Sequence, residues 1–224
     1  MKKDVFKVDL LLASSSPRRK QLLESAGLKP LVRPVDVPEP VLPDESGMEM
    51  VRRLAAEKAQ AALESYSEGA LILAADTTVL HAGRVIGKPA DEAEAVEMLM
   101  ELRQGSHRVI TAITLAERSS GKMMTAATTT DLFMRHYDRQ EVERYVAGGS
   151  PLDKAGAYGI QDENFMPVDM ARFQGCFTNV MGLPLCSLGL MLERLNIDSA
   201  APLIDSCFGY HRHELQPIGE LLNA

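Results

Sequence analysis

The sequence predicts a mixed α/β fold, and three observations carry that reading. Short apolar runs at 8–13 and 71–76 alternate with segments of helical periodicity that have recognisable starts and stops. Two longer β-rich segments, 107–117 and 122–136, meet across Ser119-Ser120-Gly121 as a hairpin. The chain has no internal repeat and no run of about 18 apolar residues, so neither a solenoid nor a membrane helix is expected.

The elements follow in order. Residues 8–13 read as a buried strand, and 17–26 as a helix with Ser16 at the N-cap, Pro17 in the first turn and Gly27 as terminator. A proline-rich passage runs from Pro30 to Pro43, and a second helix covers 47–65. "LILAAD" at 71–76 reads as a strand ending in a carboxylate, with a turn at Ala82-Gly83. Asp91-x-x-Glu94 opens a helix over 91–103 that stops near Gly105. After the hairpin, Asp138-x-x-Glu141 starts a short helix ending at Gly148-Gly149. A glycine-rich loop then carries "DKAGAYGIQ", and 182–195 form the last helix. Residues 1–196 make the main domain, and 197–224 read as an appended C-terminal extension.

Charge and composition narrow the function. With 24 basic and 31 acidic residues the net charge is −7, which argues against a nucleic-acid partner and leaves room for a local basic pocket. The hydrophobic content of 46% and charged content of 25% are those of a soluble globular protein. Met1-Lys2-Lys3-Asp4 does not lead into a signal sequence, so a cytoplasmic address without a membrane partner is the default expectation. Cys176, Cys186 and Cys207 cannot all pair and form no C-x-x-C, which disfavours a disulfide framework or a zinc ribbon.

The stretch "LLLASSSPRRKQLL" at 10–23 is the first with chemistry in it. A strand, a hydroxyl-rich loop and a helix N-terminus gather unsatisfied N–H groups, hydroxyl donors and the positive end of the helix dipole: an anion site in outline. Arg18 and Arg19 add guanidinium forks suited to phosphate. An ordinary capped helix with two solvated arginines fits the same pattern. No G-x-x-x-x-G-K-[ST] occurs, so this is not a Walker A loop.

Lys58 lies in "VRRLAAEKAQAAL" on the same side as Val51, Leu54, Ala55 and Ala62. It either snorkels to solvent or turns into a cleft to neutralise a phosphate. Asp76 follows five apolar residues, with the hydroxyls of Thr77 and Thr78 beside it; the alternative is a turn-forming aspartate. "GKP" at 87–89 and "DKAG" at 153–156 supply further charged groups, and together these pairs suit a metal-bound polyphosphate.

"LLASSSPRRKQLL", "LAAEKA", "AADTTV", "GKP", "HRVITAITL", "DKAGAYGIQ" and "NVMGLPL" occur in that order and together resemble the Maf-like nucleotide pyrophosphatases, over nearly all of 8–195. The resemblance implies an elongated mixed β-sheet with flanking helices, two lobes around a central cleft as in the inosine triphosphatase fold, and a nucleoside triphosphate as the ligand. It makes Asp76 the general base that activates water, aided by a divalent cation, Mg²⁺ or Mn²⁺. It assigns Ser14, Arg18, Arg19, Lys58, Lys88 and Lys154 to the polyphosphate, and Glu39, Asp76 and Asp153 to the metal side. Where the family commonly carries Asp-Glu, this chain has Pro38-Glu39.

By the same resemblance Arg18, Thr77 and Gln161 set base choice. They are similar to the dTTP/UTP-cleaving branch and unlike the 7-methyl-GTP branch, which carries an aromatic residue, Gln and Glu there. A Gln amide donates to and accepts from a uracil-type edge at once. The implied reaction splits the triphosphate, including that of modified pyrimidine nucleotides, into a monophosphate and pyrophosphate. It needs an in-line water and charge neutralisation and no Ser-His-Asp nucleophile. Two alternatives stay open: the same chemistry on 7-methyl-GTP, and a nucleotide-binding regulator of septum formation with little turnover. An unpaired carboxylate near phosphates argues against the second. The assembly, a homodimer included, stays open. In the tail, Cys207, His211, His213 and Glu214 lack the paired spacing of a structural zinc site, so a surface extension or subunit contact is expected.

Overall fold

Three consecutive leucines, Leu10–Leu12, form the fully buried strand β1, which lies between two parallel neighbours, β2 (Leu31–Val32) and β3 (Leu71–His81). β3 continues the sheet in the antiparallel sense to β5 (Ser106–Glu117), and β5 to β6 (Met123–Phe133). β4 (Arg84–Ile86) folds back on the end of β3. The result is one open six-stranded mixed sheet of order β2-β1-β3-β5-β6, in a computed structural model that describes residues 8–197 and residue 203. The α/β class and the hairpin are as the sequence predicts.

β3 does not end at Asp76; it runs on to His81, with Asp76, Thr77 and Thr78 paired to Ala112, Thr111 and Ile110 of β5. Threonine and valine favour extended backbone, and the long β5 template carries the strand through its polar residues. What ends there is the neighbour on the other edge. β1 pairs only with 71–73 and β4 only with 79–81, so among the described residues 74–78 face no strand on that side.

Strand alternation divides the interior. On one face Leu71, Leu73, Ala75, Ile113 and Leu115 pack with α1 (Pro17–Ser25) and α6 (Leu185–Arg194). Farther along the same face Val79, Val109 and Leu132 pack with α3 (Glu92–Leu102) and α4 (Arg139–Val146). The opposite face, with Ile72, Ala74, Ile110 and Ala112, is covered by α2 (Gly47–Ser65), whose Ser46 and Glu49 close a capping box.

Smaller departures have local causes. β2 hides in the proline-rich passage because two residues give no periodicity. Ser16 is extended at the start of α1 yet its side chain makes no capping bond. The last helix, expected over 182–195, is α6, which starts at Leu185 because Gly182 at φ 97° and Pro184 delay it, and a short unforeseen helix, α5 (Phe177–Val180), precedes it. Leu203, beyond the boundary expected at 196, is fully buried against the α6 core. The rest of the tail, including Cys207, His211, His213 and Glu214, lies outside the described residues.

Candidate active site

The unpaired stretch 74–78 of β3 opens onto a cavity of about 710 Å³, within the few-hundred to thousand Å³ range of ligand sites. Asp76 and Thr77, being adjacent, point to opposite faces of the sheet.

On the α2 face, Val51, Leu54, Ala55 and Ala62 bury one side of the helix and carry Lys58 inward with them. Its Nζ lies 2.6 Å from Asp76 Oδ1 and 2.5 Å from Glu39 Oε1. Asp76 is 7% exposed, and burial raises its pKa above the ordinary aspartate value, opposed by Lys58 and Arg19. A raised pKa makes the carboxylate a better proton acceptor, while Lys58 favours its charged form. Asp76 is therefore paired with Lys58, and no unpaired carboxylate here counts against a pure binder.

On the other face the serine loop is built around Arg19. Its Nε donates to Gly182 O (2.8 Å), one terminal nitrogen to Ser14 Oγ (3.0 Å) and the other to Thr77 Oγ1 (3.2 Å). Burial lowers its pKa to about 10, so it remains a cation at neutral pH. A Cβ at Gly182 would sit 3.3 Å from Thr77 Oγ1 at a positive φ, so glycine lets this carbonyl approach the guanidinium. Thr77 Oγ1 also meets Thr111 Oγ1 at 2.9 Å, and Thr111 Oγ1 donates to Asn179 O. Arg19 and Thr77 are thus cross-braced, and the cavity wall they brace begins at the N-terminus of α1, which has no acidic residue in its first turn.

The loop 153–162 closes the cavity. Arg18 pairs with Asp153 at 3.2 Å, and the buried Lys154 lies 3.0 Å from Asp153 and 3.6 Å from Asp162. Burial works to raise the Asp153 pKa, but Lys154 and Arg18 outweigh it and hold the carboxyl below its ordinary value. Gly156 and Ala157 are consecutive left-handed residues, and an alanine there costs on the order of 1 kcal/mol that the surroundings must offset. Gly156 N donates to Gly87 O (3.0 Å), which ties this loop to the segment of Lys88. Tyr145 OH donates to Asp162 (2.5 Å), and Tyr158 OH meets buried His107 Nε2 at 2.6 Å. Burial pulls the His107 pKa down to about 4, so the ring is neutral at physiological pH.

Ser14, Arg18, Arg19, Glu39, Lys58, Asp76, Thr77, Lys88, Asp153, Lys154 and Gln161 all line this one cavity, with Glu39, Lys88, Asp153 and Gln161 exposed. The carboxylates do not gather as a protein-only cage: among the described residues no three His, Cys, Asp or Glu side chains are arranged for a metal ion. Glu39 and Asp76 meet on Lys58, whereas Asp153 is paired with Arg18 and Lys154. A two-carboxylate set fits Mg²⁺ or Mn²⁺, since Mg²⁺ usually takes one or two protein carboxylates and completes its shell with substrate phosphate and water. His107, Thr111, Asn179 and Gly182 were not foreseen as supports, although "HRVIT" places His107 and Thr111 on one face of β5.

Residues 9–195 match the Maf-like protein family. A dTTP/UTP pyrophosphatase of Geobacter sp. (strain M21) is 44% identical over 179 residues, covering 80% of this chain and 91% of that relative. One of Chlorobium phaeovibrioides is 40% identical over 189 residues, covering 83% and 96%. One of Chromobacterium violaceum is 40% identical over 193 residues, covering 84% and 96%.

Proposed function

The chain belongs to the Maf-like protein family, and from that membership and the geometry of its cavity we propose that it is a pyrophosphatase that hydrolyses dTTP and UTP to the monophosphate and pyrophosphate. The observation that carries the reading is the Glu39–Lys58–Asp76 constellation, set in one cavity with Arg18, Lys88 and Lys154. A hydrolase of a polyanion needs a buried base, and it needs cations around the leaving group; here both line one space.

In this reading Asp76 takes a proton from the water that splits the α–β anhydride, and pyrophosphate leaves with its charge met by lysine and arginine. Lys58 holds the two carboxylates together without substrate and offers its ammonium to the phosphates when they enter. Ser14 and Arg19 shape the loop that receives the triphosphate, with the first-turn N–H groups of α1 as additional donors. Glu39 and Asp76 hold the divalent cation, which when bound neutralises phosphate charge and polarises the reacting phosphoryl group.

Gln161 at the exposed side of the cavity and Arg18 beside Asp153 read the base, while Thr77 acts through Arg19 and Thr111. A nucleotide panel with Mg²⁺ or Mn²⁺ tests the reading: dTTP and UTP give equimolar monophosphate and pyrophosphate, and GTP and 7-methyl-GTP give far less. Orthophosphate in place of pyrophosphate would identify a different hydrolase. Gln161→Glu, acceptor-only, lowers kcat/KM for dTTP and UTP while the fold stays intact. An unchanged substrate ranking with unchanged pyrimidine rates removes Gln161 from the site.

A further inference from the structure

Residues 33–46, between β2 and α2, have no helix or strand, and 38–44 are all exposed. Val35 packs against the core, but apolar burial does not hold 38–44, and this part carries Glu39 to within 2.5 Å of Lys58. A segment of this length that delivers a functional side chain needs polar anchors.

Two anchors reach its backbone from α2 and its C-cap. Tyr66 OH donates to Pro34 O (2.7 Å), and Arg53 donates through a terminal nitrogen to Pro40 O (2.9 Å), the carbonyl of the residue after Glu39. Arg53 is itself fixed at both forks. Nε and the same terminal nitrogen grip Glu45 at 2.6 and 2.7 Å, and the remaining nitrogen lies 3.3 Å from Glu57. Glu45 is the last residue but one before α2, so the guanidinium staples the second half of the stretch, at Pro40 and Glu45, to the helix that carries Lys58. A lysine has one point charge and could not make this planar, two-sided contact.

We infer that Arg53 is a positioning residue for the reaction: through the Pro40 carbonyl it holds Glu39 beside Lys58 and Asp76, and with it the divalent-cation side of the site. The inference rests on the role given to Glu39 above. If Arg53 only stabilised the start of α2, its loss would act on activity independently of Glu39.

A double-variant cycle on the full chain separates the two. Arg53→Lys, Glu39→Gln and the combination are compared for kcat, for KM of dTTP, and for direct Mn²⁺ binding by electron paramagnetic resonance with a non-hydrolysable α,β-methylene analogue of dTTP. Arg53→Lys is expected to weaken Mn²⁺ binding about 10- to 100-fold, the usual cost of removing an outer support of a metal ligand, and to lower kcat while KM stays within about twofold. In the Glu39→Gln background the second substitution then changes neither quantity. Should Arg53→Lys lower the melting temperature by more than about 3 °C, Glu45→Gln replaces it with the same expectations. Losses that multiply, or parent-level Mn²⁺ binding in Arg53→Lys, overturn the inference alone. Parent activity and Mn²⁺ binding in Glu39→Gln overturn it together with the assignment of Glu39.

Discussion

At residues 76 and 77 the chain passes from one face of the sheet to the other, and the two faces hold the site by different means. The α2 face is charged: Asp76, Lys58 and Glu39 meet there, with the Arg53 staple behind them. The opposite face is braced mostly by neutral groups. Thr77 meets Thr111, Asn179 Nδ2 donates to Val109 O and Thr130 Oγ1, and Thr128 meets Ser187, in contacts of 2.7 to 3.1 Å. These residues form a polar seam across the sheet between its two apolar clusters. On this face one continuous sheet thus carries two apolar clusters, one on each side of the seam, with Ile160 and Phe177 packed against both. Charged groups can exchange partners when an anion arrives. A hydroxyl and amide network carries no charge to exchange and fixes the wall instead, even with Asn179 Oδ1 left without a partner among the described residues.

The charged face is most sensitive at Lys58. Lys58→Met leaves Asp76 and Glu39 without the ammonium between them and removes the proposed phosphate ligand, so kcat/KM for dTTP should fall about 10²- to 10³-fold. Measured against ionic strength, a loss under tenfold would place the essential charge elsewhere.

The neutral face should betray itself in acid. The folded-state pKa of His107, about 4, lies below its ordinary value of 6.5, so the unfolded chain takes up the proton first. Its contribution is complete above pH 6.5 and is lost as pH falls through about 4, by roughly 3 kcal/mol over the window. Urea titrations at pH 7 and 4.5 should show a steeper acid loss for the parent than for His107→Phe. Equal slopes would mean that the ring is not held neutral against Tyr158.

A smaller effect belongs to Thr111. Thr111→Val deletes the hydroxyl between Thr77 and the Asn179 carbonyl, costing about 1–2 kcal/mol of stability. Because Thr77 supports Arg19, KM for dTTP should rise a few fold, an order-of-magnitude reading of one weakened contact, with kcat nearly unchanged. A large fall in kcat would give Thr111 a part in the chemistry.

The charged face was the more legible of the two in the sequence. Lys58 shares helical spacing with Leu54 and Val51, and Asp76 stands out against five apolar residues, so periodicity alone points at both. Their meeting, and Glu39's arrival between prolines, depend on a loop whose course has no period. The hydroxyl face was hidden for a different reason. Thr77 and Thr78 look like a strand end, and only pairing with β5 shows that they continue it. Arg19 reads as a solvated or phosphate-facing fork because its strongest partner, the Gly182 carbonyl, lies 163 positions away. A buried threonine gives no signal of the amide it will meet.

The central claim, that a buried aspartate at the open edge of β3 activates water against a dTTP or UTP anhydride, is tested most directly by single-turnover hydrolysis of dTTP with the parent and Asp76→Asn, read as dTMP and pyrophosphate. Because burial raises the Asp76 pKa, its ionised form costs the folded state stability at neutral pH, so the variant should melt at or above the parent temperature. The account predicts dTTP binding of similar strength, and pyrophosphate release slower by about 10²- to 10⁴-fold. Release at near-parent rates from a folded, dTTP-binding Asp76→Asn would contradict it.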